Sequence, residues 1–216
     1  MRAHRDRPHR PQLQDASLIT RPNTEARDRF AQYVYGFIAG VRKSQAEWLV
    51  GVTSFEDYVE RRLKTVGTEP IISTMQWAYN LSLPASIWNH KETLAMMHEV
   101  AVTVFLFNDL VSLKKEVAEG DVESAVPILV WNEGISAQAA VNRLVKMLET
   151  SWEQFKLAEQ RLEDVVETQQ IKRDLAILVG ACKDVLIGHM IYTLRASRYM
   201  TGATFGREDS SFKIVL

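Results

Sequence analysis

The chain has 216 residues, 46% of them hydrophobic and 25% charged, with a formal net charge of −1. That length and composition suit a single globular domain with a substantial core. The near-neutral charge removes the bulk electrostatic case for nucleic acid or an anionic membrane surface, and the lone cysteine, Cys182, excludes an intramolecular disulfide.

Residues 1–23 are basic, are broken by Pro8, Pro11 and Pro22, and lack the apolar segment of a secretory signal. They read as a flexible leader. An organellar transit peptide is the alternative, and the prolines weigh against its amphipathic helix. No apolar run reaches the ~18 residues of a membrane crossing. One cysteine suits a reducing setting, and a cytoplasmic location is expected.

From Thr24 the pattern is helical. Phe30, Val34, Phe37, Ile38 and Val41 form one stripe, with Asn23 or Thr24 as cap. The segment "TSFEDYVERRLKTVG" predicts a shorter helix, capped by Thr53 or Ser54, acidic in its first turn and ended by Gly67. Pro70 sits in the first turn of a third helix, and Pro84 opens a short segment. One long helix is predicted from about His90 to Glu119, stopped by Gly120. Asp121 is the candidate cap of the next helix, which Gly134 breaks. Ala140, Leu144, Met147, Leu148, Trp152, Phe155, Ala158 and Leu162 keep helical spacing through a long amphipathic segment. A last long helix is predicted from about Gln170 to Met200, followed by a tail over 201–216. With no β-alternation and no repeat, the prediction is an all-α bundle of six to eight helices, occupying residues 24–200. Val100 to Phe107 is apolar nearly all round and should be central.

That apolar run ends at Asn108, in the stretch "FLFNDLVSLKKEVAEGD". At about 100° per residue, Ser112, Lys115 and Glu116 lie at about 40°, 340° and 80° from Asn108, on one helix face. Asn carbonyl, Ser hydroxyl and Glu carboxylate are hard oxygen donors, a Mg²⁺-type set rather than a zinc set. A single carboxylate holds Mg²⁺ weakly, so such a site completes its shell with water and substrate phosphate. Lys115 adds positive charge on the same face. The plain alternative is a helix that turns polar as it leaves the core.

"NDLVSLKKE" followed by "AEGD" resembles the Asn-Asp-x-x-Ser-x-x-x-Glu metal motif of class I terpene synthases. Three further segments resemble that family in order: "SFEDYVERRLKTVG", "LSLPASIWNHKE" and "GHMIYTLRASRY". The resemblance covers about residues 25 to 200 and implies an isoprenoid-synthase-type helical bundle. It implies a cyclase that ionises an allylic prenyl diphosphate, with farnesyl diphosphate favoured, and releases diphosphate with the aid of Mg²⁺, three ions in the family. By that resemblance Asn108, Ser112 and Glu116 would bind metal. Arg62 (Arg61 the lesser choice), Lys115, Arg198 and Tyr199 would bind the diphosphate.

Phe105, Phe107, Trp77, Tyr79 and Tyr192 are candidates to face the carbocation, with ordinary core packing the preferred reading for each. Gly180, Ala181 and Gly188 would either make room for substrate or permit close packing. The family's aspartate-rich motif, which binds the other two ions, has no counterpart before Arg62. The acidic "LEDVVE" segment, with Asp164 and Glu167, follows the metal helix and reads as a solvated face. The chain thus resembles the C-terminal half of such an enzyme, apparently truncated. The helices Thr24–Trp48 and Val100–Phe107 should then expose apolar surface, suited to a homodimer or to a chain supplying the other half. A non-catalytic isoprenoid-diphosphate-binding or partner-docking protein is the second reading. A chain-elongating prenyltransferase is disfavoured because its second aspartate-rich motif is absent at Asn108–Glu116. A purely structural bundle is the broad alternative.

Overall fold

A computed structural model describes residues 24–48, 54–120, 122–165 and 168–196, together with residues 204–205 and 212–213. Among these residues there are eight helices: α1 Thr24–Trp48, α2 Phe55–Thr65, α3 Thr68–Ala78, α4 Ala85–Trp88, α5 Lys91–Glu119, α6 Ala125–Glu133, α7 Ala137–Glu163 and α8 Gln169–Arg195. The expected all-α class holds. The tail adds one two-residue antiparallel pair, in which Thr204 faces Lys213 and Phe205 faces Phe212.

The helix ends follow local chemistry. Ser54 caps α2 through its hydroxyl, which accepts from the Asp57 N–H at 3.1 Å. Gly67 and Gly120, at φ 76° and 75°, take the left-handed conformation that closes α2 and α5. The start of α6 differs from expectation. It begins at Ala125, behind Ser124, and Asp121 lies outside the described residues. The Ala125 N–H is instead satisfied by a carboxylate from α5, Asp109 Oδ2, at 3.2 Å.

Helix α5 is the axis. It packs most extensively on α7 and next on α8. Its N-terminal half contributes Met96, Met97, Val100 and Val104 to a core shared with Trp88, Phe155, Leu178 and Leu186. Its C-terminal half contributes Phe105, Leu106 and Leu113 to a second core with Phe55, Tyr58, Leu129 and Leu144. At roughly 1.5–3 kcal/mol per fully buried large apolar side chain, these contacts fix the register of α5. The expectation that Val100–Phe107 exposes apolar surface is therefore corrected: Val100, Ala101, Val104, Phe105 and Leu106 are buried under α7, α8 and their neighbours. On α1 the expected stripe is half-covered, with Tyr35 and Ile38 exposed.

Two helices, α5 and α8, are long and apolar enough to cross a membrane. Half of the apolar window of α5 is buried inside the protein, as befits a core helix, against a third of that of α8. The outer face of α8 presents Ile187 and Ile191 to solvent.

Candidate active site

Helices α2, α3, α5 and α8 surround an open cavity of about 520 Å³. Arg62 and Thr65 come from α2, Val104 and Asn108 from α5, and His189 and Tyr192 from α8. The lining is mostly apolar with a few convergent polar groups, the usual make-up of a small-molecule site.

Arg62 is the positive group at this cavity. Its Nη2 donates to Asp109 Oδ1 at 3.0 Å and lies 3.5 Å from Asn108 Oδ1. The two adjacent arginines diverge, because residues one apart differ by about 100° around a helix. Arg61 turns the other way and pairs with Glu123 at 2.8 Å, ahead of α6.

Asp109, which the sequence reading gave no role, is the hub beneath Arg62. It is 2% exposed, and only donors surround it: Arg62 Nη2, Tyr58 Oη and the Ala125 N–H. Burial raises the carboxyl's pKa, and all three donors pull against it; a carboxyl among donors alone is the ionised partner of the pair. Burial works to lower Arg62, but the Asp109 charge, then Tyr58 and Glu116, hold its guanidinium above its ordinary value. Burial and then Asp109 push the Tyr58 phenol well above its usual range. The signal in the sequence is an acid that shares a helix face with Phe105, Leu106 and Leu113, four, three and four residues away.

The metal-motif residues occupy the same face of α5. Ser112 is buried and donates its Oγ hydrogen to the Asn108 carbonyl at 2.7 Å, which leaves its oxygen lone pairs available. Glu116 Oε2 is buried, and its charge is felt by both Arg62 and Tyr58. The Asn108 carbonyl, Ser112 hydroxyl and Glu116 carboxylate are hard oxygen donors on the helix face beside Arg62, a donor set whose chemistry suits Mg²⁺ together with diphosphate oxygens. Lys115 is elsewhere: its Nζ is paired with Glu119 Oε2 at 2.5 Å, one turn along the helix, and it does not line the cavity. Arg198 and Tyr199 lie outside the described residues.

Of the five aromatic candidates only Tyr192 lines the cavity. Phe105 is fully buried core, Trp77 meets Phe30 edge-on at 5.4 Å, and Tyr79 is exposed at the end of α3. Phe107 meets His189 edge-on at 6.2 Å. Gly188 borders the cavity, whereas Gly180 borders a smaller cleft against α7 and Ala181 is buried. His189 was also not anticipated. Burial lowers its pKa, opposed by a hydrogen bond to the Val104 carbonyl, and its Nε2 is buried with no hydrogen-bond partner among the described residues.

The family model for terpene synthase family 2, C-terminal metal binding, matches residues 16–154. The chain belongs to this family. The matched terpene synthase segment contains α1 to α6 and the whole Asn108–Glu116 motif. The chain is 26% identical over 162 residues to the sesquiterpene cyclase hepA of Aspergillus oryzae, covering 74% of this chain and 44% of that protein. It is 25% identical over 199 residues to the sesquiterpene synthase Agr1 of Cyclocybe aegerita, covering 92% and 56%. It thus spans about half the length of the curated relatives it matches. In fold it is similar to α-eudesmol synthase, with TM-score 0.74 and 18% identity over 89% of this chain and 67% of that one. It is also similar to linalool/nerolidol synthase from Streptomyces clavuligerus, with TM-score 0.70 and 20% identity over 80% and 62%. As a terpene synthase fold, the molecule brings Asn108, the first residue of its polar motif, to the cavity where the apolar run of α5 gives out, with Ser112 and Glu116 farther along the same helix and outside the lining.

Proposed function

We propose that this chain carries the diphosphate-handling wall of a Mg²⁺-dependent terpene cyclase that takes an allylic prenyl diphosphate, farnesyl diphosphate being favoured. The observation that carries the reading is Arg62, held by Asp109 beside Asn108 at the edge of an apolar cavity. In this reading Arg62 binds diphosphate oxygens through its forked donors. Asn108, Ser112 and Glu116 hold one Mg²⁺. By resemblance to the family, Arg198 and Tyr199 would bind the same diphosphate. The chemistry a bound Mg²⁺ supplies is neutralisation of charge on the departing diphosphate. The apolar lining, with Val104 and Val185, keeps water from the allylic cation while it cyclises.

Lys115 contributes through its charge only if its pair with Glu119 opens. The curated relatives it matches are about twice as long, and the experiment below asks for turnover by this chain alone. The second reading is a non-catalytic diphosphate-binding or partner-docking protein of the same fold. The exposed apolar face of α8 favours it, since a covering chain or a second copy would bury that face.

Purified protein incubated with farnesyl diphosphate and Mg²⁺, with volatiles analysed by gas chromatography, tests the first reading. Cyclic product that is lost in Glu116→Ala and in Arg198→Ala is the expected result. Mg²⁺-dependent diphosphate binding without product selects the second reading, and absence of both rejects the site.

A further inference from the structure

The Arg62–Asp109 contact does more than join two helices. Asp109 cannot follow the guanidinium if it moves. Its Oδ1 accepts from Arg62 Nη2 at 3.0 Å, while its Oδ2 accepts from Tyr58 Oη and from the Ala125 N–H at 3.2 Å. The carboxylate is thus fastened by α2, by its own α5 and by the start of α6, and it does not border the cavity. Arg62 does border the cavity, and its Nε is buried with no hydrogen-bond partner among the described residues. A buried guanidinium N–H without an acceptor is costly and rare. One end of a planar fork is clamped, and the described residues supply no acceptor for its Nε donor.

We propose that Asp109 is a positioning residue: by clamping Arg62 Nη2 from behind, it presents the remaining guanidinium donors to diphosphate oxygens in the cavity before a ligand arrives. The proposal rests on the diphosphate reading above. A fork already fixed at one nitrogen loses little freedom when it binds an anion, and that saving appears as affinity. A competing effect has the opposite sign. Asp109 is a negative charge behind the site, so if it acted by charge alone, neutralising it would tighten anion binding. The sign of the change separates the two.

The test is calorimetric titration of the full chain with inorganic pyrophosphate at fixed Mg²⁺. D109N keeps the shape and removes the charge; D109E keeps the charge and displaces it by one methylene. Both are expected to weaken binding by roughly ten- to a hundredfold. In an Arg62→Gln background D109N is expected to cost nothing further. Unchanged or tighter binding in D109N, or equal losses with and without Arg62, overturns the proposal. If the Asp109 variants do not fold, Tyr58→Phe, which frees one restraint on Oδ2, should still weaken binding by about two- to fivefold, and no loss there counts against the clamp. A measurement without ligand covers the remaining case. Side-chain NMR of the wild-type chain should show Arg62 with restricted guanidinium rotation, lost in D109N. If wild type binds no pyrophosphate, the diphosphate reading fails, and a freely rotating Arg62 then sinks the positioning role as well.

Discussion

Arg62 of α2 and Asn108 of α5, 46 positions apart in sequence, meet with Nη2 and Oδ1 3.5 Å from each other. In the proposed function, that meeting puts the cation of the site and the first residue of the metal-type motif on one ligand.

Arg62 and Arg61 should therefore separate cleanly. Arg62→Gln is expected to weaken Mg²⁺-pyrophosphate binding by roughly ten- to a hundredfold, the usual worth of a hydrogen bond to a charged group. It should also destabilise the fold by about 3–5 kcal/mol by leaving Asp109 buried without its counter-charge. Arg61→Gln, which breaks only the 2.8 Å pair with Glu123, should leave pyrophosphate affinity unchanged. Calorimetric titration and urea denaturation of the two variants make the comparison.

Tyr58→Phe removes a buried donor to Asp109 without altering volume much. A loss of about 1–3 kcal/mol is expected from the acceptor left less satisfied, read as a lower urea midpoint at unchanged slope.

Helices α1 and α2 approach closely at a glycine. A Cβ built on Gly40 in α1 would stand 2.8 Å from the Lys64 carbonyl oxygen and 2.9 Å from Lys64 Cβ in α2. Backbone cannot yield as a flexible side chain would, so Gly40→Ala should cost about 1–3 kcal/mol even though alanine is the better helix former. Gly36→Ala, with nothing within 4 Å, is the control and should gain up to about 1 kcal/mol. Denaturation of both variants in parallel reads the difference.

His189 predicts a pH dependence. Its folded pKa is depressed by burial, so the unfolded chain binds the proton more readily. Linkage then makes its contribution full above the ordinary imidazole value of about 6.5 and lost as pH falls through the lower folded value. Melting temperatures measured from pH 7 downward should fall more steeply for wild type than for His189→Gln. Parallel curves would contradict the burial of this ring.

Much of the fold was legible because helix signals are local. Gly67 and Gly120 stop α2 and α5 where a left-handed residue is needed, and Ser54 caps where a hydroxyl precedes an acidic turn. What escaped was decided by tertiary neighbours. Asp109 sits about 100° around the helix from Asn108, only about 20° beyond Glu116, but the metal-type set takes the Asn, Ser and Glu of the motif and leaves its Asp without a role. Its importance exists only because α2 brings Tyr58 and Arg62 and α6 brings an unsatisfied N–H. Lys115 shares the face of Asn108 in projection, yet a carboxylate one turn on captures it. The start of α6 was placed at Asp121 because a local acid is the usual cap, whereas the capping oxygen comes from another helix. His189 carried no periodic signal, since one histidine on a helix says nothing about which carbonyl it will reach.

Helix α8 has a cavity on each flank. Asp184, Val185 and Gly188 border the one of about 520 Å³, and Leu186, Ile187 and Met190 border another of about 360 Å³ that reaches Trp152 of α7. Between them it rests on α5. Helices α5 and α8 thus form the partition between the two: Val104 and Thr103, adjacent in α5, border opposite cavities. A side chain changed on that partition is felt from both sides, so the shape of the inner cavity is tied to the packing of the outer one.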